Sequence, residues 1–461
     1  MNYLESTNRL LSLVDHERVP ATLPRQKRIY DLGRMEALLG RLGDPHLGIP
    51  TVHVAGTKGK GSTAAMCDAV LHAAGYRTGF YSSPHLHSFR ERIRLNSQPV
   101  SEDQFAHLIA DLWRHQEWVR SNTDLGPVSL FEFMTVMAFQ CYKEQQVDFQ
   151  TIEVGLGGRL DATNVVQPSV CVITSVSLDH TAILGDTLEQ IAGEKAGIIK
   201  PGAPVVIGPQ RPAALAVILS VCKQRQAHPV MVGSDITWQS GDRDSTGQSF
   251  LIRGRLQEYR LRMPLLGAHQ LENAAAAVAT LESLREQGYS IPEPAFAEGF
   301  ARVSWPCRME VLSQSPLVVA DGAHNAYSMA TLLESVPKYF DYSKLLVIAG
   351  FSRDKSLKEM VAMLAEGRPR VITTRSRHPR SAPEQELAGL FRDQGLSRVN
   401  AMGMVKGAVA KALELAGPKD LILGTGSLFV AAEIREALLG IEPELYPDLL
   451  PPDLRVSGAN I

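Results

Sequence analysis

The stretch from Thr51, TVHVAGTKGKGSTAAM, constrains the fold of this chain more than any other. Apolar residues run into it, glycines and lysines fill the turn, and helix formers follow from about Ser62 to Ala74. A strand that ends in a glycine-rich turn and opens a helix lets backbone N–H groups converge on phosphate oxygens. The helix N-terminus adds partial positive charge there. Lys60 is placed to reach the outer phosphates, and the Ser62 hydroxyl to lie near a magnesium ion. The spacing is a variant of G-x-x-x-x-G-K-[ST], because Gly61 separates Lys60 from Ser62. An ordinary glycine-rich turn would use the same residues. The strand before and the helix after favour nucleotide binding.

Strand-like and helical runs alternate through the rest of the first half. DFQTIEVG follows the helical LFEFMTVMAFQCYKEQ, VCVITSV comes next, and APVVIG follows TLEQIAGEKAGII. Such alternation predicts a mostly parallel sheet flanked by helices. From about Gly233 to Pro264 the chain turns polar and turn-rich, which predicts an antiparallel elaboration. A helix is expected from about Asn273 to Gln287. A second α/β series begins near Leu317 with PLVVADG, KLLVIAG, RVITTR and DLILGTG. The expected division is a first domain over 1–312, a linker at 313–316, a smaller second domain over 317–440 and an irregular, proline-rich tail over 441–461. A chain of 461 residues is too long for one ordinary core, which supports two domains.

Composition narrows the function classes. The formal net charge is -2, so no global basic field points to nucleic acid. The five cysteines include no C-x-x-C pair, which fits reduced thiols in the cytoplasm. The N-terminus lacks an apolar signal core, and no run approaches the roughly 18 apolar residues of a membrane span. A soluble, cytoplasmic protein is expected.

Further stretches join the phosphate loop: YSSPHLHSFRERIRLN, EVGLGGRLDATN, SLDHTAILGDTLEQIAGEKAGIIKPG, GAHQLENAAAA, WPCRME and DGAHN. In this order they resemble folylpolyglutamate synthases and the bifunctional dihydrofolate synthase/folylpolyglutamate synthases of the Mur ligase superfamily, from about Leu10 to Leu438. The resemblance implies an N-terminal P-loop ATPase domain and a smaller Rossmann-like C-terminal domain, with the active site in the cleft. It implies ATP-dependent addition of L-glutamate to a folate carboxylate, with ATP and Mg2+ as cofactors. GLGGRLDATN is closer to the bifunctional type, so both dihydropteroate and reduced folates are expected acceptors. The alternatives are a folylpolyglutamate synthase alone, or a regulatory P-loop NTPase whose second domain binds a partner. The expected partners are the small-molecule substrates, with no nucleic acid or membrane, and the expected state is a monomer.

Residue roles follow from the same resemblance. Thr57, Lys58, Gly59, Lys60, Gly61 and Ser62 would cradle the phosphates. Asn273 would contact adenine, and Arg308, Asp321 and His324 would approach the nucleotide from the linker and the second domain. Ser83, Glu153, His180 and Lys195 would hold the metal, Lys195 as a carbamate formed with carbon dioxide. Lys60, Glu153, His180 and Lys195 form the expected catalytic set. A turn serine, a paired acid, a capping histidine and a solvated helix lysine are the plainer readings of the four metal candidates. Helix capping is the plainer reading of Asp321. Lys200, beside Pro201, is the weaker carbamate candidate. The folate side would use Asp31, Leu32, Gly33 and Arg34, then Ser129, Leu130, Phe131 and Glu132, then Leu160, Asp161 and Ala162. Phe131 would stack on a pterin, although an apolar helix face would use it equally well. Three positions depart from the family pattern: Arg34 replaces an apolar residue, Lys58 an asparagine and Cys307 a glycine. The last puts the local backbone in question, since a Cβ restricts what glycine allows.

Overall fold

The computed structural model describes residues 2–15 and 31–446, and among these the strands fall into three sheets. The first sheet contains β1 (Thr51–Ala55), β2 (Thr78–Tyr81), β3 (Ile93–Leu95), β4 (Gln98–Pro99), β5 (Phe149–Glu153), β6 (Val170–Ile173), β7 (Pro204–Ile207) and β8 (His228–Met231). Their order is β4-β3-β2-β5-β1-β6-β7-β8. The run from β2 to β8 is parallel, and β3 and β4 add an antiparallel edge. β1 and β5 are buried at every residue, as expected for strands covered on both faces. One face packs on the helices Lys60–Ala73 and Ala268–Glu286, the other on Glu102–Asn122 and Leu130–Glu144.

The polar segment after Gly233 forms an antiparallel sheet of β9 (Thr237–Asp244), β10 (Gly247–Arg253) and β11 (Glu258–Met263). β11 alternates cleanly, with Tyr259, Leu261 and Met263 buried and the residues between them exposed. That period of two is the mark of a one-sided sheet.

The third sheet contains β12 (Glu310–Gln314), β13 (Leu317–Ala320), β14 (Leu345–Ala349), β15 (Arg370–Arg375), β16 (Val399–Met404) and β17 (Leu421–Thr425), in the order β12-β13-β17-β14-β15-β16. The stretch 313–316 is therefore not a free linker. It is the end of β12 and the turn of a hairpin in which β12 pairs antiparallel with β13. β12 is only partly buried, so it lacks the apolar run that would announce a strand. Residues 441–446 carry no helix or strand, and the rest of the expected tail lies outside the described residues, as does Tyr30. Among the described residues no helix is long and apolar enough to cross a membrane. All five cysteines are buried and unpaired.

Candidate active site

The phosphate loop leaves the C-terminal end of β1, where open α/β sheets gather their ligands. The helix it opens begins at Lys60, two residues before the expected start. Gly59 caps that helix in the left-handed region, with φ of 88°. A Cβ there would lie 2.2 Å from the Asn273 Oδ1, so glycine is required both for the turn and for the approach of the Ala268–Glu286 helix. Lys60 Nζ lies 4.0 Å from Glu153 Oε1, at the end of neighbouring β5. Burial pushes the Glu153 carboxyl up, opposed by Lys60 and Arg308. Its Oε2 is buried without a hydrogen-bond partner. A buried carboxylate oxygen with a spare lone pair, beside a cavity, suits a cation better than a second hydrogen-bond donor.

Lys195 is 4% exposed, near the end of the helix Leu188–Ala196. It donates a 2.9 Å hydrogen bond to the Gly56 carbonyl. Burial, with Lys60 acting in the same direction, lowers its amine from 10.5 to about 7. It is not a solvated helix lysine. Lys200 instead donates to the Asn164 carbonyl at 2.8 Å.

Lys58 joins the two halves of the chain. Its Nζ is 3.0 Å from Asp179 Oδ2 and 3.1 Å from His324 Nε2. His324 Nδ1 lies 2.8 Å from the Gly322 carbonyl. That contact places the ring proton on Nδ1 and leaves Nε2 to accept from the lysine. Burial and Lys58 lower the His324 ring to about 3, so it stays neutral. Asp179 also accepts from Asn325 Nδ2 at 3.1 Å and lies 3.7 Å from Lys355 Nζ. Burial would raise its carboxyl, but Lys58, His180 and Lys355 hold it well below the usual range. His180 itself, in the left-handed region at the start of a short helix, is half exposed.

On the far wall both Asp321 oxygens are engaged, Oδ2 by the Met309 N–H at 2.9 Å and Oδ1 by the Ala323 N–H at 2.8 Å. Arg308 donates to the Cys307 carbonyl at 2.9 Å. Cys307 keeps the glycine-like backbone of this position, with φ of 60°, and its side chain is fully buried. Asn273 Nδ2 donates to Gln270 at 3.0 Å.

Most of these residues line one cavity of about 800 Å3. Its wall includes the phosphate loop, Ser83, Glu153, His180, Lys195, Asn273, Arg308, Asp321 and His324, with Asp31, Ser129, Phe131, Glu132, Leu160, Asp161 and Ala162. Leu32, Gly33, Arg34 and Leu130 do not reach it. Arg34 is buried behind the wall, where its Nε donates to Glu132 Oε1 at 2.8 Å. Glu132 Oε2 in turn accepts from the Ser129 N–H at 2.7 Å, completing a capping box. The Arg34 guanidinium is thus spent on protein structure, and the departure from an apolar residue is paired rather than left as a lone buried charge. Asp161 likewise holds the Thr163 and Leu156 N–H groups. Sequence reasoning missed Asp179, Asn325 and Lys355. Asp179 directly precedes His180, and an acid beside a candidate metal-binding histidine was the available signal.

A glycine-rich loop on a mostly parallel sheet, with a second α/β sheet lining the same cavity, is an arrangement that Mur-type ligases share, and comparison with known families places the chain in that class. Residues 54–281 match the Mur ligase middle domain, and residues 307–428 the Mur ligase glutamate ligase domain. The chain is 35% identical over 412 residues to the dihydrofolate synthase/folylpolyglutamate synthase of Bacillus subtilis, covering 88% of this chain and 94% of that protein. It superposes on Mycobacterium tuberculosis folylpolyglutamate synthase complexed with ADP at a TM-score of 0.84 and 31% identity, covering 96% of this chain and 99% of that one. It superposes on Escherichia coli FolC in complex with DHPP and ADP at 0.82 and 29% identity, covering 95% and 98%. The chain belongs to the dihydrofolate synthase/folylpolyglutamate synthase family.

Proposed function

We infer that this protein is an ATP-dependent amide ligase that adds L-glutamate to a folate carboxylate and releases ADP and phosphate. The observation that supports it most strongly is the single cavity shared by Lys60, Glu153 and Lys195 from one half of the chain and Asp321 and His324 from the other. The same convergence speaks against a regulatory NTPase with a separate partner-binding domain.

A carboxylate does not react with an amine at neutral pH. Transfer of the γ-phosphoryl group to the folate carboxylate gives an acyl phosphate, which the glutamate amine attacks. Phosphate then leaves from the tetrahedral intermediate. Holding the three groups together replaces about 7–11 kcal/mol of encounter and alignment cost. Thr57, Lys58, Gly59, Gly61 and Ser62 cradle the phosphates, while Lys60 and Arg308 neutralise their charge. Asn273 holds the adenine, and Asp321 and His324 close on the nucleotide from the second domain. Phe131, Asp31, Leu160 and Ala162 line the folate side.

The donor set fits Mg2+. Glu153 offers an unpartnered buried oxygen. Ser83 and His180 line the same cavity, and Lys195 has an amine with a large neutral fraction near pH 7. Addition of that neutral amine to carbon dioxide, with loss of a proton, turns Lys195 into an anionic oxygen donor. The ion would supply positive charge against the phosphate oxygens. The acceptors are reduced folates and dihydropteroate, and the protein acts as a cytoplasmic monomer.

Purified protein with ATP, magnesium and labelled glutamate, given dihydropteroate or tetrahydrofolate in parallel, tests the reading. Label should enter both products, with ADP release dependent on both glutamate and the pterin substrate. ADP release independent of either would overturn it.

A further inference from the structure

The loop from Ser83 to Arg92 connects β2 and β3 and forms one wall of the cavity through Ser83, Pro84, His85 and Arg92. Within its own domain it is tied mainly by Glu91, whose carboxylate accepts from the N–H groups of Leu86 and His87 at 2.8 Å and Ser88 at 3.0 Å. Arg92 Nε adds a 3.1 Å hydrogen bond to His85 Nδ1, and Arg90 Nη1 one of 3.3 Å to the Val100 carbonyl; further restraints come from the far end of the chain. In the helix Leu428–Leu439, Glu436 Oε1 lies 3.0 Å from His87 Nδ1, and Arg435 Nη1 lies 2.7 Å from His87 Nε2. A neutral imidazole protonated on Nδ1 satisfies both contacts. Beyond that helix, Glu444 accepts from Ser88 Oγ at 2.6 Å and from the Phe89 N–H at 3.1 Å, and from the hydroxyls of Tyr3 and Tyr446. Its own N–H donates to the His87 carbonyl at 3.0 Å.

Glu436 also grips a second stretch of the cavity lining. Its Oε2 accepts from Arg377 Nη2 at 2.5 Å, and the Arg377 N–H donates to Glu433 at 2.7 Å. The next residues, His378 and Arg380, line the cavity. One carboxylate therefore holds His87, two residues from His85, and Arg377, adjacent to His378. Charge-assisted hydrogen bonds of this kind are short and about twice as strong as neutral ones, so they fix spacing as well as add stability.

We propose that Glu436 clasps the Ser83–Arg92 stretch to the 376–380 stretch, while Glu444 anchors the first of them to the segment beyond the same helix, and that both are positioning residues for ligation. The kinetic part rests on the ligase reading. Arg92, which donates to His85 Nδ1 at 3.1 Å, and Arg380, which pairs with Asp354 Oδ2 at 3.0 Å, both line the cavity; these cations suit an anionic substrate with two carboxylates, glutamate rather than the nucleotide at the phosphate loop. Loosening the clasp misaligns glutamate and spares ATP binding.

The test uses the full chain with Glu444→Gln and, separately, Glu436→Gln, followed by hydrogen exchange of the 85–92 amides and by steady-state kinetics. Exchange at 85–92 should rise about tenfold. The KM for glutamate should rise about tenfold while the KM for ATP stays within about twofold. Glu444→Asp should recover part of both effects. A residue that merely stabilises the fold would lower the thermal midpoint and leave the glutamate KM in place. Unchanged exchange in both variants overturns the clasp whether or not the protein ligates glutamate. Faster exchange with every kinetic constant within about twofold overturns the positioning role. Wild-type protein without ligation would sink the ligase reading, and the exchange result would still decide the clasp.

Discussion

Lys195→Met should make the protein more stable and inactive. The amine is held in a buried site beside Lys60, which lowers it from 10.5 to about 7. At roughly 1.4 kcal/mol for each tenfold change in a protonation equilibrium, that displacement costs about 5 kcal/mol at and below pH 7. Methionine has similar length and no charge to desolvate. It also abandons the Gly56 carbonyl, which takes back about 1–3 kcal/mol. A net gain of about 2–4 kcal/mol remains near pH 6.5. The sign with pH follows from proton counting. Between pH 7 and 10.5 the unfolded chain holds the Lys195 proton and the folded chain does not, so wild-type stability rises with pH in that window. The mutant lacks this dependence, and its advantage should close by about pH 9.5. Urea unfolding followed by circular dichroism at the two pH values, in buffer freed of carbon dioxide, reads the difference. A mutant no more stable than wild type at the lower pH, or an advantage equal at both, would refute the argument that a buried neutral amine is stored here.

Other substitutions separate chemical from structural roles. Lys60→Ala should abolish glutamate incorporation while the circular dichroism spectrum stays native, because the side chain faces the cavity; near-normal turnover would be the contrary result. Lys58→Met removes the ammonium shared by Asp179 and His324, and kcat/KM for ATP should fall about tenfold, a loss of ~1.4 kcal/mol. An unaltered value would show that the contact across the cleft is incidental. Arg34→Ala leaves Glu132 buried without its cation and should cost about 3–5 kcal/mol of stability in denaturant titration. A stable variant with only a raised folate KM would return Arg34 to the substrate.

The glycine-rich loop and the alternation of strand and helix were readable because both are local. Glu153 ends a strand and Asp321 follows one, at junctions that apolar runs mark out, and Lys60 opens the helix after the glycine-rich loop. That Asn273 and Arg308 line the same cavity as that loop follows only from the family resemblance, because no local pattern reports proximity across more than two hundred residues. Pairing is the part that stayed hidden. Arg34 and Glu132 are 98 residues apart, and nothing at either position signals the other. Lys58 was legible as extra charge near phosphate, whereas its bond to His324 spans 266 residues. β12 escaped because it is polar and short, and it turned an expected linker into a hairpin. Glu444 lies in a segment without regular structure, where composition gives no hint that its carboxylate is held by four donors.

The central claim is that the folate carboxylate is activated by phosphoryl transfer before glutamate attacks it. Tetrahydrofolate or dihydropteroate labelled with 18O in the reacting carboxylate, turned over with unlabelled ATP and glutamate, tests it by mass spectrometry of the released phosphate. An acyl phosphate carries one carboxylate oxygen away when the carbon–oxygen bond breaks, so each phosphate released should contain one 18O. Phosphate free of label, with full glutamate incorporation, would contradict the account.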